Sequence, residues 1–464
     1  MKQINYIMDE YIQSLLSNHR YKASYDTRDL TTREDYKEIL IPVVRLFDDF
    51  PNQSVKFYRE LLERQSLLKS NLDKIIYDQR LVPGVVVAYG TSKYVGLLNE
   101  GFADEGNNKK MDDKSIFDLS SVSKLFLTVV VLCLYSDGYF DLDRKILEYD
   151  KRFYNLKDMT VRDILSFQRI IKTPERLTAG MSVEKADKIM FAAYEDDGEN
   201  SINSYSDIPF MVLRYIIETV SQSSTFDLIN HYILKPLGMT DTVVAIPQEK
   251  LSRTVSSDNE YYIINDGEPI HHITPLGIVN DDKSRIFAAH GQFAGHAGLF
   301  STVCDMIKFI HAFFGDKILS PNILNEIGVN RTGKRNEDGR YRQYLGYGCY
   351  SKNPDAIASE VYHPLSGNAI AMSGFTGNHL SIDINNQVFT FIVTNRCHNR
   401  VSKFVNSPKA LDSIVNKGEQ SILRFSSCQD IGTSHRYVYQ KDGLLRDPAL
   451  QLALQNRLLD LCNE

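Results

Sequence analysis

The chain has 464 residues, a formal net charge of −6, 43% hydrophobic residues and 24% charged residues. That balance supports a sizeable core and excludes an intrinsically disordered chain. Lys and Arg are dispersed rather than clustered, which excludes the basic patch that a nucleic-acid-binding protein needs.

In chain order, residues 1–72 read as a helical N-terminal extension. In "SVKFYRELLERQSLLKSNLDKII" apolar residues recur at three- and four-residue steps with charges between them. The opening "MKQINYIMDEYIQSLL" carries early acidic residues and no continuous apolar run, so a cytoplasmic protein is expected. The six cysteines (Cys133, Cys304, Cys349, Cys397, Cys428, Cys462) form no CxxC pair and are expected to be reduced. From "VPGVVVAYG" the pattern turns to β-rich runs, and "YVGLLNEGF" follows at hairpin distance. Two more strands come much later: "LSIDIN" and "VFTFIVTN", joined through Asn386 and Gln387. The region between is mainly helical. Its longest apolar stretch, from Leu125 to Leu134, is too short to span a bilayer. The chain after Arg396 is polar until the helix-like "DPALQLALQNRLLDL".

These elements predict an α+β fold: one antiparallel sheet closed by early and late segments, flanked by helices, with a helical lobe inserted. The expected organisation is an extension over 1–72, a main domain over 73–400 and a C-terminal extension over 401–464. A cleft between sheet and lobe is the expected place for a site.

Ser-x-x-Lys occurs three times, at Ser66/Lys69, Ser121/Lys124 and Ser182/Lys185. Context singles out the second, in "FDLSSVSKLFLTVVVLCLYSDGYFDLD". There the serine follows an extended run and opens an almost wholly apolar helix that must be buried. Ser and Lys three apart on a helix share a face. A helix N-terminus favours developing negative charge on the serine oxygen, and a desolvated lysine can accept its proton. The competing reading is a serine cap at Ser120, Ser121 or Ser123, with Lys124 reaching solvent.

Two later stretches bear on the choice. "SINSYSDIPFMVLRYIIETV" sets Tyr205 and Asp207 just before another amphipathic helix. Tyrosine can share proton work, and Asp207 can orient a substrate amide or the lysine. "AMSGFTGNHLSIDI" sets Ser373, Gly374 and Phe375 at the entry of a late strand, where glycine lets a substrate carbonyl approach backbone N–H groups.

Together and in this order, these stretches resemble the serine β-lactamase and penicillin-binding-protein superfamily. The closer likeness is to class C β-lactamase-like esterases and D-alanyl-D-alanine carboxypeptidase-type proteins. "IIYDQRLVPGVVVAYG", "FDLSSVSKLF", "MTVRDILSF", "YILKPLGMTDT", "GHAGLFST" and "GFTGNHLSID" are similar to successive family landmarks. The resemblance implies an acyl-enzyme mechanism on an ester or amide, using a small-molecule or peptide-like acyl substrate. Ser121 would be nucleophile, Lys124 general base and Tyr205 the partner that passes the proton to the leaving group. The N–H groups of Ser121 and Phe375 would form an oxyanion hole, with neither metal nor organic cofactor. His296 falls in a family landmark without an assignable role.

Two departures stand out. Family members usually carry Lys or His before the Ser/Thr-Gly of the third motif, and this chain has Met372. Gln168, Arg169 and Ile170 replace a His-Thr-Ser-Gly-like turn. An α/β-hydrolase would need G-x-S-x-G and a zinc hydrolase His-Glu-x-x-His, and both are absent. The adjacent His271 and His272 lack partners at ligand spacing and are expected in a loop. The alternative from another class is a catalytically silent relative that binds a ligand or a protein partner through its terminal extensions.

Overall fold

The structure, a computed structural model, describes residues 63–78, 82–196, 205–257, 260–264, 270–332, 344–353, 360–362, 364–398, 401–405, 422–425, 428–432 and 444–463. Most of the expected N-terminal extension lies outside the described residues, and residues 63–72 of it are helical.

A seven-stranded sheet organises the chain. Its strands in chain order are β1 (Gly84–Thr91), β2 (Val95–Asp104), β3 (Lys109–Lys110), β4 (Tyr350–Ser351), β5 (Ile370–Gly374), β6 (Asn378–Asp383) and β7 (Val388–Thr394). In space they run β4-β5-β6-β7-β1-β2-β3, so the first strand lies beside the last. Val87 of β1 pairs antiparallel with Leu98 on one side and Ile392 on the other. The expected sheet closed by early and late segments is the one observed.

The "GVVVAYGT" run of β1 is buried along its whole length because the sheet is covered on both faces. Side chains alternate along a strand, and β1 divides accordingly. Val86 and Ala88 enter the core shared with the inserted helices. Val85, Val87 and Tyr89 enter a second core with Leu68, Leu72 and Ile75 of the early helix. Leu450, Ala453 and Leu454 of the terminal helix Arg446–Asn463 join that second core. The terminal helix is thus a packed layer over the outer face of the sheet.

On the inner face lies helix α1 (Ser123–Ser136), whose residues from Ser123 to Leu134 are all buried. Phe126 stacks on Phe309 with ring centroids 4.1 Å apart. Losing such an aromatic from a core costs about 3–5 kcal/mol. The helix stops where Gly138 adopts a φ of +79° and the Tyr139 N–H turns back to the Leu134 carbonyl. A second inner helix, α2 (Ile208–Ser221), packs against α1.

A smaller sheet was not legible in the sequence. Strand Val401–Val405 pairs in parallel with Glu260–Ile264, which pairs with Ile270–Ile273. His271 and His272 therefore lie in a strand, not in the expected loop. Their flanking isoleucines supply the β-propensity that the histidines obscure. Among the described residues no helix is long and apolar enough to cross a membrane.

Candidate active site

Strand Ile116–Asp118 delivers the chain into a single 3-10 turn, Ser120–Val122, from which α1 starts. No serine side chain caps this junction. Ser120 takes a left-handed φ of +49°, which turns the backbone sharply just before Ser121. Ser121 sits half-buried in the first turn, where backbone N–H groups have no helical partner.

Lys124 follows one turn later, and its whole side chain is buried, with 0% exposure. The capped-helix reading required it to reach solvent. Instead its Nζ donates to Ser121 Oγ at 3.0 Å, to Asp207 Oδ1 at 2.7 Å and to the His296 carbonyl at 3.3 Å. Burial pulls the Lys124 ammonium below the ordinary lysine value, partly offset by the Asp207 carboxylate.

The other two Ser-x-x-Lys pairs have structural roles. Ser182 caps a helix by accepting the Lys185 N–H at 3.2 Å. Lys69 pairs with Asp73 at 2.9 Å and Glu100 at 3.1 Å.

Tyr205 and Asp207 reach the same place from the segment before α2. The Tyr205 ring centroid is 4.9 Å from Lys124 Nζ, and the ring stacks on Tyr350 at 5.5 Å. Phe167, itself in the left-handed region, packs against Tyr205 at 5.2 Å. Asp207 is the N-terminal boundary residue of α2, and its side chain makes no cap bond because Lys124 takes it. Ser121, Tyr205 and Asp207 are each only partly buried, so the cluster is open to solvent.

Gly374 and Phe375 approach from β5. A Cβ on Gly374 would lie 2.8 Å from the Leu119 carbonyl oxygen, so the close approach of strand to turn requires glycine there. The turn is fastened to β6, because Thr376 Oγ1 and Asn378 Nδ2 each donate to the Asp118 carbonyl at 2.8 Å. The Phe375 N–H donates to Ser120 Oγ at 3.0 Å. Ser373 is different. Alternation places it on the face of Ala371, in the outer core, and its hydroxyl donates to Glu360. Its side chain is not brought to the Ser121 cluster. Met372 faces the inner core and is fully buried.

The structure adds residues that the sequence did not single out. Asp281 accepts from His296 Nε2 at 2.8 Å, and Lys283 Nζ lies 3.0 Å from Asp281 Oδ2 and 3.1 Å from Asp207 Oδ2. Atoms of Asp207, Asp281 and His296 gather within 4.8 Å of one another, a spacing that suits a cation. The Lys283 ammonium is the cation that bridges the two carboxylates. The only sequence signal was the polar run Asn280 to Lys283 ahead of "GHAGLFST". Asp118 links this loop to the serine turn: Oδ1 accepts the Ser120 N–H at 2.8 Å and Oδ2 the Asn280 N–H at 2.7 Å.

Comparison with known proteins bears on the family and the fold. "Putative D-alanyl-D-alanine carboxypeptidase" of Escherichia coli (strain K12) is 24% identical over 324 residues, covering 64% of this chain and 73% of that protein. Its namesake from Salmonella paratyphi B is 25% identical over 329 residues, covering 66% and 74%. Among solved structures, a penicillin-binding protein homologue from Caulobacter crescentus superposes with a TM-score of 0.56 at 16% identity, covering 74% of this chain and 93% of that one. EstCE1, described as a hydrolase with promiscuous acyltransferase activity, gives 0.55 at 17% identity, covering 72% and 93%. The Beta-lactamase family profile matches residues 60–412. The chain belongs to the Beta-lactamase family, within the superfamily of serine β-lactamases and penicillin-binding proteins.

Proposed function

We propose that this protein is a serine hydrolase that acts on an ester or amide through an acyl-enzyme, with Ser121 as nucleophile. The observation that carries the reading is the 3.0 Å contact between Ser121 Oγ and the fully buried Lys124 Nζ. A buried amine is more readily deprotonated than a solvated one, and at this distance it can take the hydroxyl proton. As Ser121 Oγ bonds to the substrate carbonyl carbon, its proton passes to Lys124 and the carbonyl π electrons move onto oxygen. The N–H groups of Ser121 and Phe375 receive that oxyanion. Collapse breaks the bond to the leaving alcohol or amine, which takes the proton by way of Tyr205. Water or another acceptor then cleaves the acyl ester and regenerates Ser121.

Gly374 and Phe375 would line the acyl site, and Asp207 holds Lys124. Met372 leaves the third motif without the cation that would hold an anionic substrate group. The substrate class is therefore an uncharged ester or amide, not a carboxylate-bearing β-lactam or D-Ala-D-Ala peptide. The names of the carboxypeptidase relatives and of EstCE1 support acyl transfer as the reaction type.

One observation favours the silent-relative reading: the Phe375 N–H is already engaged by Ser120 Oγ. Treatment of the folded protein with a fluorophosphonate separates the two. Hydrolase chemistry predicts a label on Ser121, and an unlabelled wild type would favour a binding module.

A further inference from the structure

Asp207 shares its carboxylate between two ammonium groups. Oδ1 pairs with Lys124 at 2.7 Å and Oδ2 with Lys283 at 3.1 Å. Lys283 also pairs with Asp281 at 3.0 Å, and Asp281 accepts from His296 Nε2 at 2.8 Å. The His296 carbonyl returns to Lys124 at 3.3 Å, so the chain of contacts closes into a ring.

The ring raises a chemical problem that only one of its members solves. A carboxylate 2.7 Å from Lys124 stabilises the ammonium form, whereas accepting the Ser121 proton requires the amine. The groups that face Lys124 are the Ser121 hydroxyl, the Tyr205 phenol ring, Asp207 and the His296 carbonyl. Behind them stand Lys283, Asp281, the His296 ring and, beneath the serine turn, Asp118. Lys283 is the one further cation among these, and it meets the carboxylate oxygen that Lys124 does not use.

We propose that Lys283 is a positioning residue. By taking the second oxygen of Asp207 it offsets that carboxylate's field, so that Lys124 gives up its proton and becomes available to Ser121. This rests on the reading of Ser121 and Lys124 as nucleophile and base. The two lysines divide the work between them. Burial acts against both charges, yet Asp281 and Asp207 together hold Lys283 above the ordinary lysine value, while Lys124 stays below it. Neighbouring groups driven in opposite directions are the pattern of a fixed charge beside a proton carrier.

The test is the pH dependence of fluorophosphonate labelling at Ser121, measured on the full chain. In Lys283→Met, Asp207 has only Lys124 as its cation, and the rise of the labelling rate moves to higher pH. Removing a nearby like charge raises such a group by about one pH unit, so labelling slows about tenfold below the midpoint and recovers in alkali. Lys283→Arg keeps the wild-type profile. Asp207→Asn/Lys283→Met, which removes both charges, brings the midpoint back toward wild type. A Lys283→Met profile that keeps the wild-type midpoint and falls equally at every pH assigns Lys283 to structure alone and overturns the proposal. So does a double variant whose midpoint stays well above that of the wild type, a comparison that stands even where Lys283→Met does not fold. Failure of the wild type to label at Ser121 overturns the catalytic reading and this one with it. Labelled wild type with an unmoved Lys283→Met midpoint overturns this one alone.

Discussion

Ser120 Oγ accepts the backbone N–H of Phe375 at 3.0 Å while Ser120 itself holds a left-handed φ of +49°. The residue before the proposed nucleophile is thus bound to a donor that the reaction would use, in a conformation that costs a non-glycine residue of order 1–3 kcal/mol. Ser120→Gly removes both the strain and the competing acceptor. It is expected to keep or raise the melting temperature and to raise kcat/KM on an activated ester by up to about tenfold. Ser120→Ala keeps the strain and loses the bond, so it lowers the melting temperature. Slower turnover in Ser120→Gly would mean that the Phe375 N–H does not serve the reacting carbonyl.

The three Ser-x-x-Lys pairs give an internal control. Ser121→Ala abolishes hydrolysis of a p-nitrophenyl ester, and Lys124→Ala reduces it by a factor of about 10²–10⁴, the range for a lost general base. Ser182→Ala removes a helix cap, costs about 1 kcal/mol and leaves turnover near wild type. Steady-state kinetics on the three variants checks the ranking, and a dead Ser182 variant would refute the assignment.

Specificity depends on Met372. Short-chain esters should be hydrolysed faster than nitrocefin, and parallel assays on one preparation decide it. Met372 is fully buried in the inner core, so Met372→Lys places a new charge there. It buries an unpaired charge and destabilises the fold by several kcal/mol, seen as a lower urea midpoint without gain of nitrocefin activity. Faster nitrocefin hydrolysis by the wild type would count against the uncharged-substrate reading.

Burial raises the Asp118 carboxyl to about 6, against the two backbone N–H bonds and the ordinary carboxyl value of about 3.9 in an unfolded chain. The raised folded pKa means the native state holds the proton more tightly. Its contribution is therefore fully present below about pH 4 and is lost as pH rises through about 6. Two pH units correspond to about 3 kcal/mol. The stability of wild type relative to Asp118→Asn should rise by about that much as pH falls from 6.5 to 4. Urea unfolding at several pH values measures it, and a flat difference would show that Asp118 does not titrate in that window.

Legibility in the sequence followed separation along the chain. The strands at Val82–Gly90 and Val388–Asn395 announced themselves as β-branched and aromatic runs, and their place at either end of a helical middle pointed to the one sheet that joins them. Ser121 and Lys124 were readable because a lysine one turn into an apolar helix has few structural reasons to be there. Tyr205 and Asp207 stood out for a similar reason, as polar residues at the entrance of a buried helix. Asp281 and Lys283 were not readable. Their meaning lies in contacts to Asp207 and His296 that no local periodicity encodes. Ser373 misled because its motif neighbours approach the site through their backbone, while strand alternation turns its own side chain to the other face. The small sheet that joins 260–273 to 401–432 was hidden in the same way, since its strands meet across more than a hundred residues.

The proposed mechanism stands or falls on acylation of Ser121. Brief reaction with p-nitrophenyl acetate, acid quench and intact-mass measurement with peptide mapping tests it most directly. A single acetyl adduct is expected on the peptide that carries Ser121, absent from Ser121→Ala. An adduct on another serine, or ester turnover that survives Ser121→Ala, would contradict it.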